Sequence, residues 1–393
     1  MLIATFALLS LGRLTGFLTE PALRADDIHT IMGRPAAHAA PAVLPERLAV
    51  VSWNIERGVR FAGVLDTLKK LNADVLLLQE VDRGCDRSGR RDVAADLAAA
   101  LGMNWIFAGE FQEIGEGTKG RAALHGQAIL SRYPITDAGV LVFAEQARLR
   151  WRLNPVQPRR GGRMALRART GGMLVYTAHL ESGGNDTLRR KQLDEMVRDQ
   201  QRQARPEERV VLAGDFNNPP VAQSSMFSAI RSERFIDSHG GAPRLTSIGR
   251  SYPIDWIFVK NLAFLESNVY MVNGVSDHFP VVASVAHAQV AADQERWPLA
   301  RREQLDPRRV ADGLEPARND VVEGAAADYV PMWLRYDSRQ PRSSFRPVRN
   351  TRSPPGRRPR SRDRSGRRAR PRGQHRRRPA WRVRICPRRQ PWS

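Results

Sequence analysis

Five short polar motifs, each closing an apolar run, hold the residues of this chain best suited to chemistry. They are Trp53-Asn54, Gln79-Glu80, Thr177-Ala178-His179, Gly214-Asp215-Phe216-Asn217 and Ser276-Asp277-His278. Gathered at one rim of a sheet, their carboxylates, amides and imidazoles would suit a hard divalent cation of the magnesium type. Such an ion takes one or two protein carboxylates and keeps several waters. Glu80 ends the run Val75–Gln79, where an isolated buried carboxylate is costly, so it is the expected principal metal ligand. Asp277 is the expected second ligand, and Asn54 would orient Glu80 or meet the metal through its amide oxygen. Asp215 follows Val210–Ala213 and could orient or deprotonate a water, while Asn217 could donate to phosphate oxygens. His278 would be held protonated by Asp255, which sits without other excuse in the apolar stretch Pro253–Phe258, and His179 would be a second imidazole donor. Preorganised donors plus a metal stabilise developing charge. Uncatalysed phosphate-ester hydrolysis is slow enough that on the order of 20 kcal/mol is asked of them.

The elements that must position these groups are legible as alternating patterns. Strands are predicted at Leu48–Trp53, Val75–Leu78, Gln127–Leu130, Met173–Ala178, Val210–Ala213, Ile254–Val259 and Val281–Val285, each short, apolar and bounded by turn residues. Helical spacing is read at Phe61–Leu71, Val93–Leu101 and Leu188–Val197, with Asp186 or Thr187 as the cap of the last. This mixture implies helices packed on sheet faces. Residues 109–126 and the Arg-rich stretch 144–163 around Trp151 are read as long loops, the second able to meet phosphate or a base. Arg163 opens a strand-like run and is expected within reach of the site. Asp82 and Arg83 are read as loop residues, Glu56, Glu181, His125, His239 and Asp186 as surface or capping groups, and Trp53 and Trp256 as packing.

Charge is distributed unevenly. The formal net charge is +22, yet residues 339–393 hold 21 Arg against a single acid, Asp363, leaving the preceding chain near neutral. Composition predicts a tail that cannot bury enough surface to order. Its near-exclusive use of Arg over Lys fits two origins equally, an anion-binding tail and out-of-frame GC-rich coding. The expected organisation is an apolar leader and linker (1–45), a catalytic domain (46–287), a charged linker (288–338) and the Arg-rich tail (339–393). The apolar start is too short for a membrane span and lacks the positive start of a secretory signal. The cytoplasm is therefore the favoured compartment, with a signal or anchor left open. Cys85 and Cys386 cannot form a disulfide framework.

Across residues 46–287, the order Trp53-Asn54, Gln79-Glu80, His179, Gly214-Asp215-Phe216-Asn217, Asp255 and Ser276-Asp277-His278 resembles the endonuclease/exonuclease/phosphatase superfamily with its deoxyribonuclease I-like fold. The segment Gln127–Pro134 looks like one common in its bacterial members. The resemblance implies an α/β fold, a four-layered α/β sandwich of two mixed β-sheets face to face with helices outside. It implies Mg2+, sometimes Mn2+, held by Glu80 with Asn54 and Asp277 assisting. Asp215 and Asn217 would then align water and phosphate, with His278, Asp255 and His179 at the scissile group. The apurinic-site endonuclease branch usually has Asn where His179 stands, so a DNA-repair role is not implied. The expectation is a metal-dependent phosphoesterase acting on phosphodiesters, monomeric, its partner a phosphoester substrate with nucleic acid among the candidates. Two rivals are a nucleic-acid-binding protein acting through the tail with an inactive domain, and a membrane-surface protein using both ends of the chain.

Overall fold

The computed structural model describes residues 20–38, 45–147, 158–183, 185–218, 226–240 and 244–287. All lie in the first of two compact units, Met1–Ala311 and Asp312–Ser393. Residues 1–19 and 39–44 of the expected leader and linker, the charged linker from residue 288 onward, the tail, Trp151 with Arg148, Arg150 and Arg152, and the pair Pro219-Pro220 lie outside the described residues.

In chain order the strands are β1 (Ile31–Arg34), β2 (Arg47–Arg57), β3 (Val75–Arg83), β4 (Asn104–Glu113), β5 (Leu124–Ser131), β6 (Thr136–Val142), β7 (Arg159–Gly161), β8 (Met164–Thr170), β9 (Met173–His179), β10 (Arg209–Asp215), β11 (Ile236–Asp237), β12 (Asp255–Lys260), β13 (Leu262–Val269) and β14 (Val281–His287). One sheet has the order β1-β4-β5-β3-β2-β14-β13, with β7 also paired to β4. The other has the order β11-β12-β10-β9-β8-β6. Leu77, Ile129, Val175, Val211, Ile257 and Val281 pack between the sheets. The outer face of the first sheet is covered by helices Phe61–Leu71 and Val93–Leu101, that of the second by Asp186–Gln203 and Ser228–Ser232. The expected four layers are therefore present.

Two parallel pairs place the motifs. A parallel pair cannot be joined by a tight turn and needs a crossover, usually a helix. Helix Phe61–Leu71 connects β2 to its parallel neighbour β3, and helix Asp186–Gln203 connects β9 to its parallel neighbour β10. Parallel strands finish at the same end, so Asn54 and Glu80 share a rim, as do His179 and Asp215. Burial on both faces also explains the near-continuous apolar runs Val75–Leu78 and Val210–Ala213.

Three details depart from the pattern reading. The cap of the long helix is Asn185, whose Oδ1 accepts from Leu188 N at 2.9 Å, one residue ahead of Asp186. The expected loop 109–126 is shorter than read, because β4 runs to Glu113 and β5 begins only at Leu124, leaving 114–123 as the connection. Glu110, Gln112 and Glu113 are polar but buried on β4. Within 144–163, Arg159–Gly161 forms the short strand β7. Upstream of the matching motifs, Glu20–Arg34 supplies a helical turn and β1. The Glu20 carboxylate accepts from the backbone of Gly115 and Gly117 and from the Gln112 amide. Among the described residues no helix is long and apolar enough to cross a membrane.

Candidate active site

The second sheet delivers its chemistry as a row. Asp215 lies opposite His179 across the β9–β10 ladder and opposite Asp255 across the β10–β12 ladder. Gly214 makes that row possible: a Cβ there would stand 1.8 Å from the Ala178 carbonyl oxygen, and its φ of +148° disfavours any side chain. Asp215 Oδ2 lies 3.3 Å from His179 Nε2, 3.7 Å from His278 Nε2, and 3.3 Å from Asn54 Nδ2, which donates to it. Its Oδ1 accepts from the backbone of Asn217 at 3.0 Å. Asn217 itself, at φ +48°, donates its side-chain Nδ2 to the Leu180 carbonyl. It therefore shapes the turn that holds Asp215, and that hydrogen is not turned to the phosphate.

The first sheet delivers Glu80 differently. Register shifts fall between Asn54 and Arg57 on β2 and between Leu78 and Val81 on β3. Glu80 sits at the irregularity with φ +51°. Bulges of this kind re-aim a side chain beside active sites. Its carboxylate lies 3.9 Å from Arg57 Nε and 3.8 Å from His179 Nδ1. Burial opposes its ionisation, but Arg57, His125, His179 and His278 together hold Glu80 well below the usual carboxylate range.

His278 joins the two sheets. It precedes β14 in the first sheet, while its Nδ1 meets Asp255 of the second at 2.9 Å. Its carbonyl accepts from the Trp53 indole at 2.9 Å, and its backbone N donates to Ser276 Oγ, which in turn donates to the Asn54 carbonyl. Burial would push its imidazole toward neutrality, yet Asp255, Asp215 and Asp277 raise it well above the ordinary histidine value. His179 goes the other way: burial and then Arg163 lower it to about 3, so its ring is neutral at physiological pH. Both its ring nitrogens lack a hydrogen-bond partner among the described groups. The two imidazoles beside Asp215 are thus driven in opposite directions, His278 toward its charged form and His179 toward its neutral form.

Two groups could hold a metal. Asp215, Asp255 and His278 bring ligand-type atoms within 4.8 Å of one another. A protonated His278 bonded to Asp255 has no lone pair to give, however. Glu80, Asn54 and Asp277, the expected ligands, offer oxygen atoms of the kind that a hard divalent cation takes. Burial raises the Asp277 carboxyl, His278 opposes, and the charges of Glu80 and Glu56 raise it further. Carboxylates crowded by like charge are stabilised by a bound cation.

All eight predicted site residues therefore meet at one rim. Other residues are more deeply built in than their sequence context suggests. Asp82 is not a loop residue but fully buried on β3, gripped by Arg87 through both carboxylate oxygens and by His125 at 2.9 Å. Burial is outweighed by Arg87 and His125, which lower its carboxyl to about 2. His125 and His239 are buried, not surface groups, and the His239 ring contacts the Asp255 carbonyl from behind. Glu56 is also buried. The signal for Asp82 was its place two residues past Glu80 in the same run, while His125 carried none. Arg163 is buried and bonded to Glu110 at 3.1 Å, with Phe111 beneath its guanidinium. A polar seam crosses between the sheets, Gln79 donating to Thr177 Oγ1 and Thr177 to Gln127.

A family model for the Endonuclease/Exonuclease/phosphatase family matches residues 51–278, more than half of the chain. The chain belongs to this family. Comparison with curated protein sequences finds no match. Among solved structures, similarity extends to an endonuclease/exonuclease/phosphatase from Beutenbergia cavernae (20% identity, 62% of this chain and 72% of that one, TM-score 0.46). It extends also to the human Nocturnin catalytic domain with bound sulfate (16%, 68% and 100%, 0.49). A third is a mannosyl-6-phosphatase from Bacteroides thetaiotaomicron (17%, 61% and 99%, 0.43). As a member of the family, the chain has a phosphoesterase-type fold with an acidic and imidazole centre at the expected rim.

Proposed function

We propose that this family member is a magnesium-dependent phosphodiesterase that hydrolyses its substrate by attack of a water. The observation that carries the reading is the position of Asp215, one of whose carboxylate oxygens faces His179, His278 and Asn54 together. Asn217 N fixes the other oxygen, so Asp215 is oriented to accept a proton from an attacking water. The imidazolium of His278, backed by Asp255, would donate to a phosphate oxygen as negative charge develops, and neutral His179 would complete the cradle. Glu80, Asn54 and Asp277 would hold the magnesium, which neutralises charge on the phosphoryl group when bound. Manganese has the same ligand preference.

The test is magnesium-dependent hydrolysis by the full chain of a panel: bis(p-nitrophenyl) phosphate, single- and double-stranded nucleic acid, sphingomyelin and inositol phosphates. Cleavage abolished by EDTA and by His278→Ala supports the reading, and the preferred member of the panel names the substrate. A folded protein that binds magnesium yet cleaves none of them, or cleavage that survives both controls, refutes it.

A further inference from the structure

Beside Glu80 the first sheet carries a second, cationic constellation that the hydrolytic centre does not use. Arg57 ends β2, Arg87 follows β3, and Arg159 opens β7. Arg87 is paired with Asp82 and lies 3.5 Å from Glu113, and Arg159 lies 3.3 Å from the same Glu113 oxygen and 4.7 Å above the Phe111 ring. Arg163 also lies over the Phe111 ring, at 5.4 Å, but belongs to Glu110 and is almost closed to solvent, its side chain 5% exposed. The side chains of Arg57, Arg87 and Arg159 keep 27, 17 and 20% exposure, so each is held by the fold yet open to a ligand.

Arg57 differs from the others in its partner. Arg87, Arg159 and Arg163 each have a carboxylate outside the reaction centre, whereas the ion-pair contact of Arg57 is Glu80, at 3.9 Å. Its Nε is buried and hydrogen bonds to no described group. If Glu80 serves a metal, the guanidinium beside it has charge and hydrogens left over. Arginine forks of this kind match phosphate oxygens, often two at a time.

We propose that Arg57, Arg87 and Arg159 form a subsite for a second phosphate group of the substrate, next to the scissile one. The inference rests on the phosphodiesterase reading and narrows it to substrates bearing a further phosphate. Electrostatics agree with the geometry: burial, and the charges of Arg163, Arg87 and Arg57 against the attraction of Glu113, hold Arg159 below the ordinary guanidinium range. A bound anion relieves such crowding.

Two measurements on the full chain test it. Thermal unfolding in EDTA with inorganic pyrophosphate reads binding to the folded domain. Pyrophosphate should stabilise the wild type and His278→Ala, while Arg57→Gln and Arg159→Gln should need roughly tenfold more of it for the same shift. Stabilisation lost in His278→Ala but kept in both arginine variants would overturn the subsite. Kinetics then compare a thymidine dinucleotide with the same dinucleotide bearing a terminal 5′- or 3′-phosphate. The better phosphorylated form should exceed the plain one about tenfold in kcat/KM, and the ratio should fall toward one in either variant whatever the absolute rate. A wild type that cleaves all forms equally rejects the subsite and leaves the phosphodiesterase reading standing. A wild type that cleaves none of these forms and no member of the phosphodiester panel rejects that reading, and the pyrophosphate result alone then decides the subsite.

Discussion

The two sheets furnish one site by opposite means. The six-stranded sheet places His179, Asp215 and Asp255 in a single row of regular pairings. The eight-stranded sheet places Glu80 by breaking its pairing, with Glu56, Arg57 and Glu80 all at positive φ. A regular ladder fixes mutual distances to a fraction of a strand spacing, which suits groups that pass protons. A bulge turns an anionic side chain away from the ladder into the cleft, which suits a group meant for a cation. On the proposed function, the proton chemistry would fall to the six-stranded sheet and the metal to the eight-stranded one, with His278 and Asp255 as the link.

The strongest way to break that division is Asp215→Asn, which should lower kcat by about 10^3-fold while magnesium binding and the melting temperature hold. Unchanged turnover would remove the row from the reaction. Glu80→Gln should act on the other half: a magnesium titration should need roughly 10–100-fold more metal, with activity falling alongside and circular dichroism unchanged. Full activity at low magnesium would reject the ligand assignment. Gly214→Ala should damage the row through packing, costing about 3 kcal/mol in denaturant unfolding because the new Cβ meets Ala178 backbone. Wild-type stability there would mean that the row has slack.

Asp255→Asn sharpens the link. His278 is raised above its unfolded value, so its imidazolium contributes stability in full below the ordinary histidine range and loses it as pH rises through the raised value. The alkaline limb of kcat/KM should follow the same titration, and Asp255→Asn should move it toward acid. A limb that stays in place would mean that another group titrates. The smallest effect is expected of Trp53→Phe, which deprives the buried His278 carbonyl of its donor and should cost about 1–2 kcal/mol in unfolding.

Much of this was legible in the sequence because parallel, doubly buried strands announce themselves as unbroken apolar runs. Val75–Leu78 and Val210–Ala213 were found for that reason, and the polar residue closing each run was found with it. β4 was not, since Glu110, Gln112 and Glu113 look solvent-facing until Arg87, Arg159 and Arg163 arrive from distant parts of the chain to meet them. β6 was missed for the converse reason: its residues are largely exposed at the sheet edge and show no buried face. His125 and Asp82 form a pair across β3 and β5, and no local spacing encodes a contact 43 residues apart.

One consequence reaches beyond the site. The family match begins at residue 51, but β1 covers the outer edge of β4 through pairs from Ile31 with Ala108 to Arg34 with Trp105. A recombinant fragment cut at the family boundary would bare that edge as a template for strands of other copies. It would also uncover the pocket filled by Ile28, which is 1% exposed. Such a fragment should precipitate or self-associate where a chain beginning at or before Glu20 stays dispersed. Fragment boundaries for expression are thus set by a strand that lies ahead of every motif.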